Sequence, residues 1–503
     1  MTRQQVMNAR LVAAALLCLG FAPAAMRAQN CEALAKLNTP NVIATAATHA
    51  SGLFTQDGKA HVLADVPPFC RVAVNLKPTA DSDIHAEVWL PASRWNGKLM
   101  AVGSGGWGGS LAYDAMAGAL RRGYATVASD DGHTGPSGSF VMGHPEKLID
   151  FAYRADHEMI VEAKFLIQAF YGKSPQHSYW VGCSGGGREG LIQAARYPDE
   201  LDGVIAGDPA NIRRNAWALW LATESFRDPE SYIPPEKYPM IHRFVLDACD
   251  ANDGVQDGLI ENPLSCHPDF AKLACKAAEG ADCLTQKQAE MAQTIISPAT
   301  GTSGKVLFPR LEPGTELRWG RLAGGPSPAD LFLDEFRYAV YQNPDWDWRS
   351  FSLDRDAAKA HAVDKDVDEM DPHLAAFVKH GGKLLLYHGW ADQQVAPGSS
   401  IDFYQQAVSL GGVQANTQNW IRLFMAPGMG HCSGGEGPDT FDKINVLESW
   451  VEQGKAPEQI VASHRAGGHV DRTRPLCAYP KAAQYRGSGS IDEAANFTCA
   501  MPK

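Results

Sequence analysis

Short apolar runs and stretches of helical spacing alternate along the first part of the chain. The runs "AEVWLP" (86–91), "KLMAVG" (98–103), "YATVASD" (124–130) and "SYWVG" (178–182) are short and bounded by turn or polar residues, so they predict strands. Between the third and the fourth, "DFAYRADHEMIVEAKFLIQAFYG" places Met159, Ile160, Ala163, Leu166, Ile167 and Phe170 on one face of a helix. A crossover helix is the expected outcome. "REGLIQAARYP" predicts a second helix, stopped by Pro198, and "LDGVIAGDPA" predicts the strand after it. Strands that alternate with helices in this way build a largely parallel sheet with helices on its faces, an α/β architecture.

The alternation stops at about residue 211. From there to 375 the chain is rich in Pro, Trp, Asp and Cys and has few strand signals, which predicts an insertion lying over the sheet as a lid. It resumes with "GGKLLLYHGWADQQV", a strand opening into a loop, then a helix near "SIDFYQQAVSL" and a last strand in "WIRLFMAPGMGHC". The expected division is therefore a catalytic domain from 29–210 and 376–503, with a lid domain at 211–375. With 503 residues there is ample chain for both.

Composition narrows the function. Hydrophobic residues make up 45% and charged residues 20%, the balance of a folded globular protein. The net charge of -12 offers no basic field for a polyanion, so nucleic acid is excluded as an expected partner. Arg3 and Arg10 precede an apolar run from Leu11 to Phe21 and then small residues, which is a signal-peptide pattern over 1–28, with cleavage after Ala24 or Ala28. Leu17 before Cys18 argues against a lipoprotein. No later stretch reaches the roughly 20 apolar residues of a membrane-spanning helix, so the expected location is secreted or periplasmic.

Removing Cys18 with the signal leaves ten of the 11 cysteines, an even number in an exported chain, which suggests five disulfides. Short loops favour Cys249 with Cys266, Cys275 with Cys283 and Cys477 with Cys499. Cys31 and Cys70 bracket the N-terminal segment, and Cys183 and Cys432 remain.

Those two flank the chemistry. Gly182-Cys183-Ser184-Gly185-Gly186 lies between a predicted strand and a predicted helix, the context of a nucleophile elbow. A serine hydroxyl becomes nucleophilic only when a base takes its proton and a third group orients that base. On an α/β-hydrolase sheet these follow in the order Ser, Asp or Glu, His, each after a strand. Ser184, Asp392 and His431 fit that order, against the rivals Asp208, Asp250, Asp402 and Asp439 for the acid and His388 and His133 for the base. If Ser184 and His431 meet, Cys183 and Cys432 come near the Cα separation of about 4.4–6.8 Å that a disulfide accepts. The oxyanion hole needs two backbone N–H groups; Gly185 supplies one, and the loop "GSGGWGG" supplies the other through Gly106, with Gly105 as the alternative.

Cys-Ser, Asp and His-Cys in this order, together with "WNGKLMAVGSGGWGG", "SDDGHTG", "FAYRADHEMIVEAK", "CSGGGREGL", "YHGWADQQVAP" and "APGMGHC", resemble the tannase/feruloyl esterase family of α/β-hydrolases. That family includes fungal feruloyl esterases, tannases and the bacterial mono(2-hydroxyethyl) terephthalate hydrolase. The resemblance runs from about residue 31 to the C-terminus. It implies the triad Ser184, Asp392 and His431, the five bridges above, and a small aromatic ester as substrate: a ferulate, coumarate, gallate or terephthalate monoester. "CDANDGVQDGLIENPLSC" sets Asp250, Asp253 and Asp257 among glycines, a loop rich in the oxygen donors that a hard cation needs. The resemblance maps a structural Ca²⁺ site there, onto those three carboxylates and the carbonyls of Val255 and Leu259. Within the lid, Trp346, Trp348, Arg349 and Phe351 offer either an aryl-binding surface or a lid core. Two other readings share parts of this pattern: an exported serine peptidase or acyltransferase with the same triad, and a non-catalytic, disulfide-rich calcium-binding module.

Overall fold

The computed structural model describes residues 30–502, apart from 38–39, 56–61, 212, 277, 321–326, 369 and 411–418. The signal-peptide reading of 1–28, with its cleavage sites, lies outside those residues. A helical turn at Cys31–Lys36 precedes β1 (Val42–His49), β2 (Gly52–Thr55) and β3 (Val62–Val66) form a hairpin, and β4 (Phe69–Leu76) returns against β1. Then come β5 (Ile84–Pro91), β6 (Lys98–Val102), β7 (Ala125–Ser129), β8 (His177–Cys183) and β9 (Gly203–Gly207). After the small ladder of β10 (Ala299–Thr300) and β11 (Val306–Phe308), β12 (Lys383–Gly389) and β13 (Ile421–Ala426) complete the main sheet. Its order is β1-β4-β5-β7-β6-β8-β9-β12-β13. The strands from β7 onward run parallel, and β1, β4 and β5 add an antiparallel flank. This is the sheet of an α/β-hydrolase.

The central strands are buried along their whole length because helices cover both faces, which is why they read as unbroken apolar runs. One covering helix is Ala155–Tyr171; Met159, Ile160, Ala163, Leu166 and Ile167 enter the core and Gly172 ends it in a left-handed turn at φ 74. A second apolar core is built by residues between 216 and 360, among them Trp217, Phe270, Trp319 and Phe336. Trp346, Trp348 and Phe351 belong to it, with Trp346 stacked between Phe336 and Tyr341. Register aligns the loops that matter: Cys183 pairs with Gly207, Tyr387 pairs with Gly207, and Gly389 pairs with Ala426. The turns after β8, β9, β12 and β13 therefore leave the sheet at one edge.

All five expected disulfides are present: Cys31–Cys70, Cys183–Cys432, Cys249–Cys266, Cys275–Cys283 and Cys477–Cys499. The C-terminal hairpins β14 (Gln459–Ala466) with β15 (His469–Cys477), and β16 (Ala482–Tyr485) with β17 (Phe497–Ala500), carry the last of them. Among the described residues no helix is long and apolar enough to cross a membrane.

Candidate active site

Ser184 sits between β8 and the helix Gly185–Arg196 with φ 61 and ψ -120, a left-handed conformation that a non-glycine residue adopts at a cost of about 1–3 kcal/mol. The turn survives because its surroundings over-determine it. Ser184 N–H donates to Gly207 O at 2.9 Å, and Ser184 O accepts from Arg188 N at 3.1 Å and Ala210 N at 3.0 Å. Gly182 has no room for a side chain, since an added Cβ would lie 2.2 Å from Gly186 O.

Asp392 follows β12 and His431 follows β13. His431 Nδ1–H donates to Asp392 Oδ2 at 2.7 Å, which sets the orientation of the ring. Asp392 Oδ1 takes the Gln394 and Val395 N–H groups at 2.7 and 3.0 Å. Asp392 is wholly buried, and burial alone would push its carboxyl up; the nearby imidazoles outweigh that and hold it below the ordinary carboxylate value. The Cys183–Cys432 bridge, with Cα atoms 5.9 Å apart, ties the residue before Ser184 to the residue after His431. Residues of the segment between β9 and β12 contact this side of the sheet: Trp107 Nε1 donates to Leu331 O at 3.0 Å, Asp334 Oδ2 accepts from Ser137 Oγ and Gly138 N at 2.8 Å, and Arg318 pairs with Glu436 at 2.8 Å.

Gly106 and Gly185 line one narrow cavity of about 20 Å³ together with Trp107, Phe151 and Leu331. Gly106 takes φ +62, and a Cβ built on Gly185 would lie 3.5 Å from Gly106 O and from Gly105 Cα, so the glycine loop rides directly on the start of the helix. Larger clefts of about 520 and 510 Å³ open elsewhere, and neither is lined by Ser184, Asp392 or His431.

The rivals for acid and base fall in different places. Asp402 lines the larger of those clefts and Asp439 is a loop acceptor for Gly434 N–H, at 2.6 Å. His133 is buried with its ring stacked on Phe140, centroids 3.5 Å apart, and burial pushes it down to about 4. Asp208 and His388, by contrast, lie directly behind Asp392. A polar network that pattern reading missed holds the glycine loop: Ser104 N donates to Glu189 Oε2 at 2.9 Å, and Ser104 Oγ lies 2.8 Å from Glu189 Oε1 and 2.5 Å from Asp131 Oδ2. One hydroxyl proton cannot serve two carboxylates. Burial, reinforced by Glu189, pushes the Asp131 carboxyl well up. Two acidic residues in "SDDGHTG" and "GGGREGL" were the visible signal, but their burial was not.

In the acidic loop, Asp250 accepts from Asp257 N and Gly258 N at 3.2 and 2.9 Å, Asp253 accepts from Val255 N at 3.0 Å, and Asp257 accepts from Leu259 N at 3.1 Å while also pairing with buried Arg474. The carbonyls of Val255 and Leu259, on two buried residues, take no hydrogen bond among the described residues. Burial, with Asp257 and Asp250 adding repulsion, pushes the Asp253 carboxyl up to about 6. These carbonyls and carboxylates are oxygen donors of the kind a hard cation takes, but among the described residues the three carboxylates do not converge in one close cluster, and each already accepts backbone N–H groups.

A strained serine at a strand-to-helix turn, with an Asp–His pair off later strands of a parallel sheet, defines an α/β-hydrolase. The family model "Tannase and feruloyl esterase" matches residues 70–316 and 325–500. An uncharacterised esterase of Xanthomonas campestris is 36% identical, covering 93% of this chain and 91% of the relative, and a probable feruloyl esterase B-1 of Aspergillus flavus is 35% identical over 86% of each. The crystal structure of feruloyl esterase B from Aspergillus oryzae superposes with a TM-score of 0.89 at 32% identity, covering 93% of this chain and 99% of that one. Tannin acyl hydrolase from Aspergillus niger, 23% identical, shares the fold at a TM-score of 0.75 over 92% of each chain. The chain belongs to the tannase and feruloyl esterase family. It is a carboxylic ester hydrolase of that type.

Proposed function

We propose that this esterase is an exported serine hydrolase of aromatic carboxylic acid esters, working through an acyl-enzyme on Ser184. The observation that carries the reading is the His431–Asp392 hydrogen bond of 2.7 Å on a loop stapled by Cys183–Cys432 to the serine turn. His431 Nε2 takes the Ser184 hydroxyl proton as Oγ attacks the ester carbonyl. The N–H groups of Gly185 and Gly106 receive the oxyanion, and His431 returns the proton to the departing alcohol. Water activated by the same nitrogen then releases the acid. The catalytic domain spans 29–210 and 376–503 and the lid 211–375. The cavity of about 20 Å³ beside the two glycines holds about one water.

Asp250, Asp253, Asp257 and the carbonyls of Val255 and Leu259 would hold a structural Ca²⁺, whose charge relieves the carboxylate repulsion in that loop and braces the lid. Export follows from the N-terminal sequence pattern and accords with five disulfides, which persist in oxidising compartments. The test is a substrate panel of methyl ferulate, methyl gallate and a terephthalate monoester, alongside labelling with a phosphonate. Turnover of at least one, with label on Ser184, is expected. A folded protein that neither labels nor cleaves any of them overturns the reading.

A further inference from the structure

Asp392 is not served by His431 alone. His388, wholly buried, brings Nε2 to 3.2 Å from the same Oδ2 that receives His431 Nδ1. That nitrogen also faces Val395 O at 3.1 Å and Asp208 Oδ1 at 3.6 Å. All three are acceptors, so Nε2 carries a proton. The other ring nitrogen meets Ser400 Oγ at 2.7 Å, an atom able to accept as well as donate, so the ring can hold a second proton with both N–H groups satisfied.

The charges around the ring favour it. Asp208, His388 and Asp392 have no exposed surface, and ligand atoms of the three lie within 4.8 Å of one another. Two bare carboxylates at that range, shielded from water, repel strongly unless a cation sits with them. Asp208 is also anchored as a fixed part of the site. It adopts φ 38, its N–H donates to Tyr387 O at 2.9 Å, and its Oδ1 accepts Gly389 N–H at 2.9 Å, at the root of the Asp392 loop. Its Oδ2 lies 3.3 Å from Cys183 Sγ, so one side chain touches both the acid loop and the residue before Ser184.

We propose that His388 is held as a buried imidazolium by Asp208, and that this second acid–imidazole pair keeps Asp392 ionised and aimed at His431, making Asp208 and His388 positioning residues for ester hydrolysis. Burial pushes Asp208 up to about 6, and it would depress His388 too, but Asp208 and Asp392 outweigh it and raise the ring above its ordinary value. Among the described residues, the other charged or titratable groups interacting with this pocket are His431 beyond β13, Arg214 on the helix Arg213–Arg227 toward Asp392, and Tyr387 in β12 and Lys443 on the helix Lys443–Gln453 toward Asp208.

The kinetic half of the inference rests on the serine esterase reading; the protonation half does not. Nitrogen-15 NMR of histidine-labelled wild type at neutral pH is expected to show both ring nitrogens of His388 protonated. A single protonated nitrogen there overturns the proposal, and this measurement needs no variant to fold. Asp208→Asn is expected to return the ring to the neutral form. In kinetics, Asp208→Asn and His388→Gln should each lower kcat about tenfold with KM changed less than about twofold, and the double variant should lose no more than the worse single, because the pair acts as one unit. Multiplicative losses, or a lowered melting temperature with kcat unchanged, would show two independent structural residues and overturn it. Wild type that cleaves no ester and takes no label defeats the esterase reading instead, while the NMR result still decides the charge on His388.

Discussion

Removing the Cys183–Cys432 bridge separates what a disulfide does for stability from what it does for chemistry. The bridge closes a sequence separation of 249 residues, and on the chain-entropy model its loss from the unfolded state is worth on the order of 5 kcal/mol. The Cys275–Cys283 bridge closes only 8, worth about 2.5 kcal/mol by the same arithmetic. Both double alanine variants should therefore melt below wild type, the first by more. Only the first should lose turnover. Cys183 adjoins Ser184 and Cys432 adjoins His431, so without the staple the serine turn and the histidine loop drift independently, and a misplacement of about 1 Å costs roughly 100-fold in proton transfer. The assay is kcat and KM on an aromatic methyl ester, at a temperature where circular dichroism shows both variants folded. A folded Cys183→Ala/Cys432→Ala enzyme with kcat within about twofold of wild type would refute the claim that the bridge sets catalytic geometry. Equal losses of kcat in both double variants would attribute the effect to general destabilisation.

Three further outcomes are expected. Ser184→Ala should reduce kcat by at least about 1,000-fold and abolish phosphonate labelling while leaving the melting curve in place; a smaller loss places the nucleophile elsewhere. Chelation with EDTA should lower the melting temperature, and calcium at about 100 times its Kd should restore about 2.7 kcal/mol, with kcat at room temperature unaffected; an unchanged melting curve in EDTA removes calcium from the Asp250–Leu259 loop. Glu162, on the buried face of the helix Ala155–Tyr171, is pushed up to about 7 by burial and by Glu158. A carboxyl raised on folding stabilises below its unfolded pKa and loses that contribution as pH rises through about 7. Glu162→Gln should thus gain about 1–2 kcal/mol over wild type at pH 8 relative to pH 5, after allowing for residual solvent screening, as read from denaturant midpoints at the two pH values.

Much of the sheet was legible because its central strands are buried on both faces and so print as apolar runs of strand length. β5 to β9, β12 and β13 fall where those runs lie. The flanking β1 and the terminal hairpins were not visible in the same way. β1 alternates half-buried and exposed positions at the edge of the sheet, and β14 and β15 present Val461 and Val470 to solvent, so neither offers a continuous apolar signal. The tryptophans of "NPDWDWRSF" illustrate the limit: spacing left aryl binding and lid core both open, and the structure puts Trp346 and Trp348 in the second core.

Covalent order and local conformation were determined by the chain itself: a strand, a serine needing a left-handed turn among glycines, an acid and a base after later strands, and cysteines beside two of them. Nearest-neighbour sterics and hydrogen-bonding capacity are encoded residue by residue, so they can be read that way. What only the tertiary structure decided was charge. Asp131, Asp208, Glu189 and His388 look in sequence like ordinary polar residues. Folding removes them from water and sets each within a few ångströms of a charged or polar partner, Asp131 and Glu189 around Ser104 Oγ and Asp208 and His388 beside Asp392, and both burial and distance are properties of the whole fold.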